Sequence, residues 1–100
     1  MPDFADLPPD LLAKAERKTW FDSSHTLQLL DWLTDQDAKF LGMDVAQKCE
    51  DGKWMLLVDP ILDLSNQTDN VSALEEGRRF VEEHDGAGRM FEPVWEGRHK

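Results

Sequence analysis

Cysteine is almost absent from this chain: Cys49 is the only one in 100 residues. No intrachain disulfide can form, and no cysteine-based zinc site. A domain without such staples relies on its core, which fits a reducing compartment and a cytoplasmic location. Long apolar runs are missing too. The longest, such as Trp54–Val58, have five residues, against about 20 for a membrane-spanning helix. The opening Met-Pro-Asp-Phe-Ala-Asp-Leu-Pro-Pro lacks the basic and apolar regions of a secretory signal. The sequons at Asn66 and Asn70 therefore read as coincidence. There is no repeat, no low-complexity stretch and no linker.

Basic charge is scarce. Eleven Lys and Arg stand against 21 Asp and Glu, a formal net charge of −10. Non-specific nucleic-acid binding draws mainly on cations that neutralise phosphates. No basic stripe is present here, so direct nucleic-acid binding and attachment to an anionic membrane are both disfavoured. The acids are not a tail: residues 1–50 carry ten acids and five bases, and residues 51–100 carry eleven and six. Such a field keeps a protein in solution, and it also attracts a basic protein partner and speeds its approach.

A chain of this length buries about 65% of its surface on folding, enough for one core. The expected unit is a single domain over 1–100, with loose ends at about 1–7 and 96–100. Pro8 and Pro9 suit the first turn of a helix. Asp10 complements the dipole, Leu7, Leu11, Leu12 and Ala15 share a face, and Lys14, Arg17 and Lys18 favour the C-terminal end. These signals predict a helix over about 8–19. Ser23 or Ser24 can cap a second helix, whose stripe of Leu27, Leu29, Leu30, Trp32 and Leu33 runs to Thr34–Asp37.

A hairpin is predicted over 41–58. Leu41, Met43, Val45 and Cys49 alternate with more polar residues, and Asp51-Gly52 suits a two-residue type I′ turn. That loop places Cys49 opposite Trp54, Gln47 opposite Leu56 and Val45 opposite Val58. Trp54, Leu56 and Val58 then face the core. The competing reading makes 35–49 helical, since 41, 45 and 49 also fit a four-residue period. Asp59-Pro60 ends the second strand, and 61–68 fit either an extended segment or a helical turn. A third helix spans about 70–84, capped by Asp69 or Asn70 and stopped by a left-handed Gly86. Met90–Trp95 reads as a strand that Pro93 confines to a sheet edge. The fold class is α+β: about three helices on one face of a small antiparallel sheet built round the hairpin. Two strands alone rarely hold, so the C-terminal segment, residues 61–65 or a second copy must pair with it. A homodimer through a strand edge stays open.

No residue pattern carries a specific chemistry. His84-Asp85 before Gly86-Ala87-Gly88 reads as a helix end, because a histidine there suits the dipole and glycines are ordinary stops. Ser23-Ser24-His25 lacks a nucleophile elbow. Cys49, beside Glu50, lacks the cationic surroundings of a reactive thiolate. Asp35-Gln36-Asp37 begins like a calcium loop, but Lys39 and Phe40 stand where a ligand and a glycine belong. His25, His84 and His99 have no metal-like spacing. The sequence therefore assigns no catalytic residue, no metal ligand and no cofactor.

The leading expectation is an acidic, non-enzymatic module for a basic protein partner. Inhibitors, immunity proteins and nucleic-acid mimics use the same electrostatic principle. The candidate contacts are Asp31, Asp35, Asp37, Asp59, Asp63, Glu82 and Glu83, with Trp20 and Trp95 as aromatic anchors. The alternative is a small ligand-binding or enzymatic domain with a pocket near His84 and His25.

Overall fold

A computed structural model describes residues 3–97, with the side chains of 58–60 outside the description. Two helices pack on one face of a three-stranded antiparallel sheet. The helices are α2 (Ser23–Asp35) and α3 (Asn70–His84); the strands are β1 (Phe40–Lys48), β2 (Trp54–Asp63) and β3 (Arg89–Trp95). The order β2-β1-β3 puts β1 in the middle. The fold is the α+β arrangement the sequence predicts, and Pro93 lies on an edge strand.

The helices form where their apolar spacing meets the sheet. Thr26, Leu29, Leu30 and Leu33 are the buried face of α2; Ala73, Leu74, Gly77, Phe80 and Val81 are that of α3. These spacings keep one stripe against the core. Met43, Val45, Phe91 and Trp95 meet them from the sheet. Asn70 ties the layers together: its amide oxygen accepts from the Phe40 N–H at 2.9 Å, and its amide nitrogen donates to the Ala38 carbonyl at 2.8 Å.

Asp22, rather than Ser23 or Ser24, caps α2 by accepting from the His25 N–H. Its far end closes through bonds from the Asp37 N–H to Thr34 and from the Ala38 N–H to Leu33. Asp37 takes a positive φ of 52° there, a position usually given to glycine. After α3, Gly88 and not Gly86 is left-handed. A Cβ on Gly88 would stand 2.3 Å from the Lys48 carbonyl oxygen.

The expected 8–19 helix is not formed. A 3-10 turn (Phe4–Asp6) precedes a four-residue helix α1 (Pro9–Leu12), and the chain then turns back. A lone helix of that length is marginal in water, and beyond Leu11 it has no buried face. Instead Glu16 and Trp20 form a strand-like bridge, with Arg17 and Lys18 between them at positive φ. This short loop crosses to the sheet face away from the helices. Glu16 pairs with Lys48, Thr19 bonds Glu92, and Trp20 meets Trp54 edge-on at 5.8 Å. The N-terminal residues are not a loose end from Asp3 onward: Leu7 is buried, and Phe4 stacks on Trp95.

The hairpin is present, with its register shifted by one residue. Lys48 faces Trp54, Gln47 faces Met55, Ala46 faces Leu56 and Val45 faces Leu57. The Cys49 N–H donates to the Lys53 carbonyl, closing a three-residue loop. Only Gly52 in that loop has positive φ, and the Asp51 carboxylate accepts from the Lys53 N–H. A one-residue slip swaps the two faces of a strand. Leu57 therefore packs against the core, while Leu56 is 69% exposed. Trp54 shares the outer face with Leu56, and the expected core roles of both are corrected. β2 also does not end at Asp59-Pro60. It runs on through an irregular step to pair Leu62 with Met43 and Asp63 with Gly42. An edge strand tolerates such a proline, since its missing N–H is needed only on the inner side.

Candidate acidic interaction surface

α2 and α3 run antiparallel, as two contacts between them show. The Ser23 hydroxyl donates to Asp85 at 2.5 Å, and Arg78 pairs with Asp31 further along. The outer side of this layer collects the charge. Residues 22–37 and 69–85 hold ten Asp and Glu against two Arg, a net −8 of the chain's −10. The rest of the chain holds eleven acids and nine bases and is nearly balanced. Nine of the ten layer carboxylates are exposed, and Glu76 is half-buried. Among the described residues, Asp35, Asp37, Glu75, Glu82 and Glu83 make no ion pair.

Several acids hold the backbone. Partial burial pushes the Asp22 carboxyl up, but bonds from the His25 N–H, the His25 ring and Ser24 outweigh it and keep the pKa below the ordinary value. A bond from the Ser72 hydroxyl lowers the pKa of Asp69, the cap of α3. The Ser65 hydroxyl and N–H lower that of Asp63 at the end of β2. Other acids oppose their helices. The last turn of α2 contains no basic residue, and Asp35 and Asp37 sit at that end. Glu82, Glu83 and Asp85 crowd the end of α3, where His84 is the one basic residue. Helix C-termini favour cations, so both helices carry negative charge where it costs stability.

The structure brings five of the nine candidate contacts onto this layer: Asp31, Asp35, Asp37, Glu82 and Glu83. Asp31 is already engaged by Arg78. Asp63 lies on the sheet, and the Asp59 side chain lies outside the described residues. Trp95 is 1% exposed, stacks with Phe4 and meets Trp32 edge-on, so it is no surface anchor. Trp20 lies across the opposite sheet face against Trp54, whose ring the Arg17 guanidinium covers at 4.7 Å. Glu75, Glu76, Asp69, Asp22 and Asp85 join the layer without having been singled out. Their signal was available: all lie in, or cap, helices whose other face is apolar.

His25 and His84 do not form a nucleophilic site with the serines. His25 Nδ1 lies 2.7 Å from Asp22, and Ser24 also bonds Asp22. Ser23 bonds Asp85. No serine–histidine bond exists among the described residues, so neither His25 nor His84 is in place to activate a serine hydroxyl. His84 packs on Phe80 with ring centres 4.6 Å apart. A cleft of about 410 Å³ lies beside both histidines, bordered by Glu16, Ser24, Lys48, Asp85, Gly86 and Arg89, but neither histidine lines it. Cys49 is free and half-buried. Among the described residues no three His, Cys, Asp or Glu groups gather as metal ligands, and no helix is long and apolar enough to cross a membrane. No family model, curated protein or solved structure matches the chain.

Proposed function

We propose that this protein is a small acidic binding module that engages a basic protein partner through the outer face of α2 and α3. The observation that carries the reading is the segregation of charge: −8 of −10 on residues 22–37 and 69–85, the two helices with their caps and flanking turns, against a nearly balanced remainder. A uniformly acidic surface serves solubility alone, whereas a one-sided field orients an incoming cationic surface as well as attracting it. The acids at both helix C-termini support the same reading. They break a local stability rule, and such breaks concentrate where function demands them. Asp35, Asp37, Glu75, Glu82 and Glu83 are the contact residues on this account. An inhibitor, an immunity-like protein and a nucleic-acid mimic would all use such a surface. The test is affinity capture from the native lysate at low and high salt, followed by kinetics on the purified pair. A basic partner whose association slows with salt supports the reading. A partner bound with the same affinity at every ionic strength contradicts it.

A further inference from the structure

We propose that β2 is also the interface of a homodimer, formed by antiparallel pairing of its outer edge with β2 of a second copy. The sheet has two edges, and among the described residues only one is covered. On β3, Phe21 exchanges backbone bonds with Phe91 at 2.9 and 2.8 Å. On β2, the outer edge has no strand partner among the described residues. Antiparallel ladders alternate inward and outward backbone groups. The bond from the Cys49 N–H to the Lys53 carbonyl sets that alternation, so Lys53, Met55 and Leu57 turn inward to β1. Trp54 and Leu56 turn their N–H and C=O groups outward.

The side chains point to the same stretch. The exposed large hydrophobics among the described residues are Leu12, Met55, Leu56, Ile61 and Val71. Three of the five lie in β2, with Met55 57%, Leu56 69% and Ile61 50% exposed. A long apolar edge is a template for strand addition unless it is blocked by charge or a bulge. Here the irregular step before Leu62 blocks only the far end.

Charge selects the occupant. Residues 53–57 carry one charge, Lys53, and no acid, so a cationic partner finds nothing to pair with there. A second copy fits. A two-fold axis through Met55 pairs Trp54 reciprocally with Leu56 of the second copy and sets Lys53 opposite Leu57. Within 53–57 no like charges then oppose across the ladder, and the contact is isologous, as a closed dimer requires. Trp54 and Leu56 of both copies form one apolar cluster on the outer face, and the three-stranded sheets join into six strands.

The dimer is distinguishable from the proposed partner complex by the sign of its salt response. Two copies of net charge −10 repel, and salt screens that repulsion. Dimerisation therefore strengthens with salt, while binding of a basic partner weakens. The experiment is sedimentation equilibrium from ~10 μM to ~1 mM protein, at low and high salt, across the range where weak interfaces assemble. The expected mass rises from 11.5 kDa towards twice that value, at lower protein concentration in high salt. Leu56→Lys, on an exposed position, should raise the dissociation constant at least ~10-fold, because an edge lysine blocks strand addition. Val71→Lys, on the exposed start of α3, should leave it unchanged. Near-ultraviolet dichroism shows that each variant is folded. The wild type staying at 11.5 kDa throughout overturns the proposal, as does a dimer that survives Leu56→Lys.

Discussion

Gly77 lies in the middle of α3, where an alanine would by itself favour the helix by about 1 kcal/mol. The structure predicts the opposite outcome. A Cβ built on Gly77 stands 2.7 Å from Phe40 Cε2 and 3.2 Å from Cζ. The Phe40 ring is buried at the start of β1, so it has no solvent into which to retreat. Either the ring or the helix must shift by roughly 1 Å, and overpacking of this kind costs about 1–3 kcal/mol. Set against the helical gain, Gly77→Ala should lose about 1 kcal/mol, or about 4–8 °C in melting temperature for a domain of this size. Gly86→Ala is the control. Nothing lies within 4 Å of its Cβ position, and its φ is outside the positive range. It should gain about 0.4–1 kcal/mol through the unfolded chain. Urea denaturation of the two variants and the wild type measures both changes. If Gly77→Ala stabilises as much as Gly86→Ala, the close seating of α3 on β1 is wrong.

Asn70→Ala removes two bonds to the backbone of residues 38 and 40 and should cost about 1–3 kcal/mol in chemical denaturation. Asn70→Asp should not restore it, because a carboxylate cannot donate to the Ala38 carbonyl. Asp22 and Asp69 have folded pKa values below their unfolded ones, so their stabilisation is present above about pH 4 and is lost as pH falls through the lower folded values. The Asp22→Asn, Asp69→Asn variant keeps both caps without the charge. Its deficit against wild type, followed by thermal melts, should shrink on acidification, and a constant deficit would contradict the assignment. Asp35→Lys places a cation at the α2 C-terminus and should gain about 0.3–1 kcal/mol of stability while weakening partner binding. Loss of both stability and binding would show that Asp35 holds the fold.

The parts of the fold that were legible in the sequence are those set by local pattern. The stripe of α2, the cap and period of α3, the hairpin dipeptide and the edge proline each act within a few residues. What misled was decided by contacts distant in the chain. The N-terminal residues have helical periodicity, but Trp20 and Glu16 find partners in Trp54 and Lys48 across the sheet. The Asp51-Gly52 signal marks a turn correctly but not its loop length, and one residue of slip exchanged the faces of Leu56 and Leu57. The acidic surface was hidden for a similar reason. Counted along the chain, the two halves have the same net charge; only the antiparallel packing of α2 on α3 brings 22–37 beside 69–85. Trp95 read as a surface anchor because it ends a strand, yet Phe4, from a stretch expected to be loose, covers it.

The most direct test of the acidic helical surface is the association rate of the purified protein with its captured basic partner, measured from ~0.05 to ~0.5 M salt. The expected result is a fall of at least ~10-fold for the wild type with little change in dissociation. The triple variant Asp35→Lys, Glu82→Lys, Glu83→Lys should associate slowly at every salt concentration. A wild-type rate indifferent to salt, or a triple variant that associates as fast as the wild type, would contradict it.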